Sequence, residues 1–304
     1  MPEDLPFQEI DVTAWDVTDE ETSGAEAKVW LEEPGTKVRW LLKTVTVKNG
    51  HVHGEDWAEK AASHLAEALG IPAARVELAV WHGLRGCISA NLRPDEYQMQ
   101  PGQALLETVN APGYVHKEAG KDHPGHSLSN IKDALTGCGL PPGCNLPFNA
   151  TAFDIFVGYI VFDAWIANQD RHDHNWSILV PGTSGVSGPS LLSGSYDHAS
   201  ALAFGERDAR LDQLLGSKSG VEGWCLRGRA NRLEGRPGLV DAAKIALDMA
   251  SPPAHNHWIS KLQEVSGDDI RRILVRVPRM SEAARNFAGR VLEVNRRRVL
   301  DVCR

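Results

Sequence analysis

The stretch DAWIANQDRHDHNWSILV, residues 163–180, sets a cluster of ionisable and amide side chains between two apolar runs. Within it, Asp170 and Asn175 have the spacing D-x-x-x-x-N. A short turn with this spacing can direct a carboxylate toward an acceptor hydroxyl and an amide oxygen toward a metal ion. A metal site, the charge relay of a hydrolase and a phosphoryl-transfer loop all use Asp, His and Asn, so the rest of the chain has to distinguish them.

The overall composition narrows the classes of protein to consider. The chain has 304 residues, of which 42% are hydrophobic, enough for a large packed core. Its formal net charge of -8 argues against a basic nucleic-acid binder, because neutralising phosphates needs clustered Lys and Arg. Five scattered cysteines without a C-x-x-C pair argue against a disulfide framework and a zinc ribbon. Because the N-terminus lacks an apolar signal and no long apolar segment follows, we expect a cytoplasmic protein that contacts neither nucleic acid nor membrane directly.

The first hundred residues have the pattern of strands with one helix. Two apolar runs flank residues 33–37, EPGTK, which predicts a hairpin whose second strand places Lys43 on the face opposite Trp40. The segment GEDWAEKAASHLAEALGIP has helical apolar spacing and stops at Gly70. Further strand-like runs, ARVELAVW, GCISANL and GQALLETV, follow it.

From about residue 126 the pattern becomes helical. The run TAFDIFVGYIVFDAWIANQ predicts a helix with one apolar stripe, through Phe153, Phe156, Ile160 and Ala164, that ends at the D-x-x-x-x-N motif. Later helices are expected over 208–216, 238–250, 255–265 and 281–303. The sequence therefore predicts an α+β fold with a strand-rich N-terminal lobe, residues 1–110, and a helical C-terminal lobe, residues 111–304.

Phosphoryl transfer needs a lysine on the phosphates, a carboxylate beside the acceptor hydroxyl and oxygen ligands for Mg²⁺. The chain offers these groups in order: Lys43 on a strand, Glu59 on the next helix to hold that lysine, Asp170, Asn175, and Asp197 after a second apolar run. Glu55, one turn before Glu59, is the alternative partner for the lysine. Magnesium takes few carboxylates and completes its shell with substrate phosphates, so Asn175 and Asp197 would suffice as its protein ligands. ATP and Mg²⁺ are the expected cofactors.

Five segments carry a resemblance to a known family. They are WLLK ending at Lys43, EKAASHLAEALGIP beginning at Glu59, NQDRHDHNWSIL at 168–179, YDH at 196–198 and VPRMSEAARNFAGRVLEVNRRRV near the C-terminus. Together they resemble the HipA-like kinases, a branch of the protein-kinase-like fold, over about residues 25–300. The loop DRHDHN also matches the D-R-H-x-x-N loop of phosphoinositide kinases, which are distant relatives in fold.

The resemblance implies a bilobal protein-kinase-like fold and an ATP- and Mg²⁺-dependent kinase. Lys43 would bind the phosphates, Glu59 would orient it, and Asp170 would be the catalytic base or orient the acceptor. Asn175 and Asp197 would hold the metal. The acceptor favoured by the resemblance is Ser or Thr of a protein, as in a growth-arrest toxin, with an antitoxin-like partner. A small-molecule or lipid-headgroup hydroxyl and a nucleotide-binding pseudokinase remain alternatives.

The predicted phosphate loop is the segment TDEETSGAEAK, residues 18–28. By position it would place Ser23 and Gly24 against the nucleotide. Its single glycine and its acidic residues differ from a G-x-G-x-x-G loop and favour the pseudokinase alternative. HipA-like kinases can be silenced by self-phosphorylation in this loop, so by resemblance Ser23, with Thr22 second, is a candidate regulatory site.

Two other sites are weaker readings of the sequence. His172, His174 and His198 could form a zinc site, since histidine is a common zinc ligand. The segment PGHSLSN resembles the G-x-S-x-G elbow of hydrolases around Ser127, although the fifth residue is Ser129 and no strong strand precedes it. The kinase interpretation accounts for more of the chain than either.

Overall fold

The computed structural model describes residues 5–21, 28–116, 122–182 and 187–303. The strands are β1 (Glu9–Asp11), β2 (Asp16–Glu21), β3 (Lys28–Glu32), β4 (Arg39–Thr44), β5 (Val47–Lys48), β6 (His51–Val52), β7 (Val76–Trp81), β8 (Leu84–Ala90), β9 (Tyr97–Pro101), β10 (Ser177–Pro181) and β11 (Leu191–Leu192). The helices are α1 (Glu55–Leu69), α2 (Gly102–Thr108), α3 (Leu128–Ala134), α4 (Ala152–Ile166), α5 (Asp208–Leu215), α6 (Gly220–Arg227), α7 (Leu239–Met249), α8 (Pro252–Glu264), α9 (Gly267–Val275) and α10 (Glu282–Val302).

A six-stranded sheet with the order β1-β7-β8-β4-β3-β2 forms the strand-rich part of the molecule. The β3–β4 hairpin is antiparallel, as the sequence predicts, and its register pairs Lys28 with Lys43. Because side chains alternate along a strand, Trp40 and Leu42 are buried in a small core on one face, and Lys43 belongs to the other face.

Helix α1 runs from Glu55 to Leu69, as its apolar spacing predicts. It ends at Gly70, whose φ of 76° is left-handed, a conformation that glycine adopts at little cost. Its apolar residues, together with Leu78 of β7, join the main core of the protein. The helix thereby brings the buried Glu59 beside Lys43 of β4.

Helix α4 is the centre of the helical part. Thr151 and Asp154 form a capping box at its start, with Thr151 Oγ1 accepting from the Asp154 amide at 3.1 Å. All fifteen residues of the helix are buried. The four residues of the predicted stripe are thus buried, and the other faces are buried too, as expected for a helix that is apolar on every side.

A second, three-stranded sheet, β11-β10-β9, joins the two parts of the chain. Residues 97–101 of β9 pair antiparallel with residues 177–181 of β10. The segment GQALLETV that follows forms helix α2 and not the predicted strand. A short apolar run does not by itself distinguish a strand from a buried helix, and here Leu105 and Leu106 are both buried on α2.

The predicted C-terminal helices are confirmed as α5, α7, α8 and α10, while α6 and α9 were not expected. Ser281 is the N-cap of α10, and its Oγ accepts from the Ala284 amide at 3.0 Å. Among the described residues, no helix combines the length and the apolar character needed to cross a bilayer.

Candidate active site

The D-x-x-x-x-N loop is fixed from inside the protein by a buried ion pair. Asp163, near the end of α4, accepts from Arg171 Nε at 2.8 Å and from Arg171 Nη2 at 2.7 Å. Both side chains are 4% exposed. Asn168 Nδ2 donates to the same carboxylate at 2.8 Å. This bidentate geometry fixes the direction of the loop as it leaves the helix.

Asp170 and Asn175 face each other across the turn. Asn175 Nδ2 donates to the Asp170 carbonyl oxygen at 2.8 Å, and Arg171 Nη1 donates to the Asn175 carbonyl oxygen at 2.7 Å. The side-chain nitrogen of Asn175 is thus used to hold the turn, so the metal-ligand role expected of Asn175 would fall to its Oδ1. The Asp170 carboxylate is 31% exposed and accepts from Arg232 Nε at 2.6 Å.

Lys43 lies between two carboxylates. Its Nζ is 2.7 Å from Asp197 Oδ1 and 3.8 Å from Glu59 Oε1. Burial alone lowers the pKa of Lys43, but the two carboxylates outweigh it and raise that pKa above its ordinary value. Burial raises the pKa of Asp197, and Lys43 more than offsets this and brings it to about 2. Asp197 is therefore an anion at neutral pH.

Glu59 is buried more deeply than its partners. Burial, only partly offset by Lys43, raises its pKa to about 7. Its Oε2 accepts from the His198 amide at 2.9 Å, while its Oε1 is buried without a hydrogen-bond partner. Glu59 thus presents one free oxygen to Lys43 and uses the other to hold the backbone beside Asp197.

His198 connects this backbone to its surroundings. Its Nε2 lies 2.7 Å from Ser195 Oγ, and its Nδ1 lies 3.7 Å from Glu59 Oε2. Burial lowers the pKa of the imidazole well below its ordinary value, so it is neutral. His198 is engaged inside the protein and is not available for the zinc site considered with His172 and His174.

The residues of the second weaker candidate, the hydrolase elbow around Ser127, also have structural contacts. Ser127 is the N-cap of α3, and its Oγ accepts from the Asn130 amide at 3.3 Å. The neighbouring His126 is buried, and its ring nitrogens bond to the Arg232 carbonyl oxygen and the Trp176 indole. These contacts give Ser127 and His126 structural roles.

A cavity of about 250 Å³ brings most of the predicted site residues together. It is lined by Lys28, Lys43, Thr44, Glu55, Glu59, Cys87, Asp170, His172, Asp197, Ala199, Ser200 and Phe204. Asn175 is buried in the loop and is not among the lining residues. Ser23 and Gly24, like Thr22, lie outside the described residues, so their roles stay predictions.

Two lining residues, Lys28 and His172, were not assigned to the site from the sequence. The hairpin register could have indicated Lys28, because it is the cross-strand partner of Lys43 and shares its face of the sheet. His172 was considered from the sequence as a zinc ligand, and in the structure it braces the loop, since its Nδ1 accepts from the His174 amide at 3.1 Å.

Comparison with known proteins agrees with this geometry. The family model described as HipA-like C-terminal domain matches residues 21–223. The structure is similar to the Helicobacter pylori proinflammatory kinase CtkA, with a TM-score of 0.74 and 18% identity over 97% of this chain and 96% of that one. It is also similar to a chain of the Shewanella oneidensis MR-1 toxin–antitoxin complex of HipA, HipB and operator DNA, with a TM-score of 0.52 and 16% identity over 95% of this chain and 66% of that one.

At these identities the two structures establish the fold, which confirms the predicted α+β, protein-kinase-like class. None of the curated proteins matches the sequence. Family and fold together support a kinase. Because the family model covers more than half of the 304 residues, the chain belongs to the HipA-like C-terminal domain family.

Proposed function

We propose that this protein is an ATP- and Mg²⁺-dependent kinase that phosphorylates Ser or Thr of a protein. The observation that carries the proposal is the convergence of Lys43, Glu59, Asp170 and Asp197 on one cavity, with Asn175 in the loop beneath it. These are the charge types that phosphoryl transfer needs, and the fold brings them together from a strand, a helix and two loops.

The residues present fit a magnesium ion. Asp197 supplies an anionic oxygen and Asn175 supplies Oδ1, and hard oxygen donors are the ligands that Mg²⁺ takes. Within the described residues, no group of three or more His, Cys, Asp or Glu is arranged to hold a metal. Mg²⁺ relies on substrate phosphates and water more than on a protein cage, so two protein ligands would suffice. When bound, the ion would neutralise charge on the phosphates.

Glu59 and Asp197 contact Lys43 at different distances and have different roles in this proposal. Asp197 is the closer partner, at 2.7 Å, and Glu59 lies at 3.8 Å with one buried oxygen that has no hydrogen bond. If Asp197 turns to a metal ligand role, Lys43 keeps the carboxyl group of Glu59 as a partner. Lys43 is then free to bind phosphate oxygens while remaining protonated, since its pKa is raised.

Asp170 is the acceptor-side carboxylate in this proposal. It lines the same cavity as Lys43 and Asp197, and the turn that carries it is held by Asn175 and Arg171. We assign to it the orientation of the acceptor hydroxyl and the acceptance of its proton. A carboxylate held in this way contributes by positioning and by proton transfer.

The acceptor and the biological setting are proposed by analogy with the family. Ser or Thr of a protein is the favoured acceptor, with a small-molecule or lipid-headgroup hydroxyl as the alternative. Since the similar Shewanella structure contains HipA with HipB and operator DNA, an antitoxin-like partner is proposed for this chain. We also propose a cytoplasmic location, and a division into lobes at residues 1–110 and 111–304, with β9 contributing to the small sheet on the helical side.

The test is incubation of the purified protein with Mg²⁺ and ATP, followed by intact-mass analysis of the protein and of candidate acceptors. Asp170→Asn is the matched variant and should bind ATP normally while transfer falls by about 10²-fold to 10⁴-fold, the contribution of a positioned acid or base. Transfer at the wild-type rate in Asp170→Asn would reject the assignment of Asp170. ATP binding without any turnover in the wild-type protein would favour the pseudokinase alternative.

A further inference from the structure

A second cavity, of about 270 Å³, adjoins the first at residues 170–175, which form the catalytic loop of the proposed kinase. It is lined by Tyr114, Val115, His116, His123, Pro124, His126, His172, Asp173, His174 and Arg232. His172 lines both cavities, and the ion pair between Arg232 of the second cavity and Asp170 of the first joins them. A group in the second cavity is thus next to the carboxylate assigned to the acceptor.

The second cavity is rich in hydrogen-bond donors. Among the described residues that line it, the one carboxylate is Asp173, whose Oδ2 accepts from the Tyr114 hydroxyl. His116, His172 and His174 each have a ring nitrogen 3.9–4.0 Å from this carboxylate. The Asp173 carboxylate therefore already has partners within the cavity. The groups that remain for a ligand are the Arg232 guanidinium and several imidazoles.

The backbone of Arg232 is anchored to the catalytic loop. Trp176 Nε1 can only donate, so His126 Nε2 accepts from it at 3.1 Å and His126 Nδ1 donates to the Arg232 carbonyl oxygen at 2.6 Å. Asn231 Nδ2 donates to Gln169 Oε1 at 3.0 Å on the other side. With its backbone fixed, Arg232 has a side chain that is 43% exposed and can change its partner without a movement of the chain.

The Arg232–Asp170 contact conflicts with the role assigned to Asp170. A carboxylate that accepts a charged hydrogen bond from a guanidinium is a weaker acceptor for the proton of a hydroxyl group. Productive binding therefore requires Arg232 to leave Asp170, and a half-exposed guanidinium leaves at least cost when another anion replaces the carboxylate. The acceptor itself can bring that anion.

From these contacts we propose that the second cavity binds an acidic peptide, in which an Asp or Glu adjoins the Ser or Thr to be phosphorylated. In this arrangement Arg232 moves from Asp170 to the acidic side chain of the peptide, and this exchange frees Asp170 for the acceptor hydroxyl. The inference rests on the proposed kinase function and names its substrate class. Arg232 is a specificity-determining residue that acts on the acceptor and not on the nucleotide.

The experiment compares three synthetic peptides that share one Ser and differ in their flanking residues, which are acidic in the first, Gln in the second and Lys in the third. Transfer from labelled ATP gives kcat/KM for each peptide. The wild-type protein should prefer the acidic peptide over the Gln peptide by roughly tenfold, as for one charge-assisted hydrogen bond. In Arg232→Gln this ratio should fall to near one.

Arg229→Gln is the matched control, because Arg229 lies in the same segment, is exposed and loses the same charge. It should keep the preference for the acidic peptide. Arg232→Lys should keep part of it, since Lys retains the charge but not the planar fork. A wild-type protein that favours the Gln or the Lys peptide, or a preference that survives in Arg232→Gln, would overturn the inference.

Calorimetry separates this inference from the proposed function. Binding of the acidic peptide, tighter than that of the Gln peptide and weakened in Arg232→Gln, supports the acceptor site whether or not turnover is seen. Equal binding of the two peptides to the wild-type protein counts against the site. Mg²⁺-dependent ATP binding and self-phosphorylation in the same sample would then leave the kinase function standing.

Discussion

Lys43 and Asp197 form a direct ion pair, with Nζ 2.7 Å from Oδ1, at the centre of the candidate active site. The pair joins a strand of the sheet to the segment that follows β11, and Glu59 of α1 stands beside it at 3.8 Å from Lys43. Lys43 thus has carboxyl partners on two sides inside the cavity. In the proposed kinase, nucleotide binding would therefore require Lys43 to exchange one of these partners for phosphate oxygens.

The first prediction concerns this lysine. Lys43→Gln should weaken ATP binding by about tenfold or more, because it removes the charged donor to the phosphates and leaves two carboxylates facing them. Calorimetry with Mg²⁺ present measures the change. Lys48→Gln, at an exposed position of β5, is the control and should bind ATP as the wild type does. Equal affinity in Lys43→Gln and Lys48→Gln would exclude Lys43 from the phosphate site.

The second prediction concerns the metal ligands. Asn175→Ala and Asp197→Ala should each weaken ATP binding in the presence of Mg²⁺ by about tenfold, and the loss should be smaller when the metal is chelated. Asp212→Ala, on the exposed side of α5, is the control. If both active-site variants bind ATP equally well with and without Mg²⁺ at the wild-type affinity, these residues do not hold the ion.

The third prediction concerns Glu59 and pH. Its pKa in the folded protein is about 7, above the ordinary 4.5, so the folded state holds this proton more tightly than the unfolded state does. Stability from this group is complete below pH 4.5 and is lost as the pH rises toward 7. Glu59→Gln removes this pH dependence. From pH 4.5 to pH 7 the free energy of unfolding of the variant should therefore rise relative to that of wild type by roughly 1–3 kcal/mol, at about 1.4 kcal/mol per pKa unit.

Urea unfolding of both proteins at the two pH values gives this difference directly. Glu96→Gln, the same substitution at an exposed position outside the site, serves as the reference. A gap between Glu59→Gln and wild type that is the same at pH 4.5 and pH 7 would show that Glu59 does not titrate in this range.

The fourth prediction concerns the ion pair beneath the catalytic loop. Arg171→Met leaves the Asp163 carboxylate, which is 4% exposed, without its guanidinium, and should cost about 3–5 kcal/mol in the free energy of unfolding. Arg290→Met, which breaks the exposed pair with Glu293 on α10, should cost less than about 1 kcal/mol. Chemical denaturation of the two variants tests the contrast, and similar costs would mean that the buried pair is not what stabilises the loop.

Local patterns in the sequence predicted those helices and strands whose formation depends on neighbouring residues in the chain. The hairpin of β3 and β4 follows from alternation around a turn, and α1 follows from apolar spacing that stops at a glycine. Helix α2 was misassigned because seven residues give too short a window for either period. The pairing of β9 with β10 joins segments about eighty residues apart, and nothing local in either strand specifies it.

In the candidate site, too, local sequence predicted some contacts, and contacts between distant residues could not be predicted. The spacing of Asp170 and Asn175 was readable because both lie in one turn. The contact of Asp170 with Arg232 spans 62 positions, and Arg232 stands in a segment without any motif. That Lys43 pairs more closely with Asp197 than with Glu59 depends on side-chain positions within a cavity, which the order of residues does not determine.

The small sheet has a mechanical consequence. Residues 97–101 are hydrogen-bonded to β10, and the amides of Gly102 and Gln103 donate to the carbonyl oxygens of Trp176 and Asp173 at 2.8 and 2.9 Å. The chain that leaves the large sheet is therefore clamped to the catalytic loop as soon as it reaches the helices. The connection between the sheet that holds Lys43 and the loop that holds Asp170 is short. Its last hydrogen bond to the large sheet runs from the Asn91 amide to the Arg39 carbonyl oxygen at 2.9 Å, and Glu96 already accepts from the Gly182 amide at 2.7 Å, so only residues 92–95 lie between the two. Any tilt of the six-stranded sheet would therefore be transmitted directly to the reacting groups.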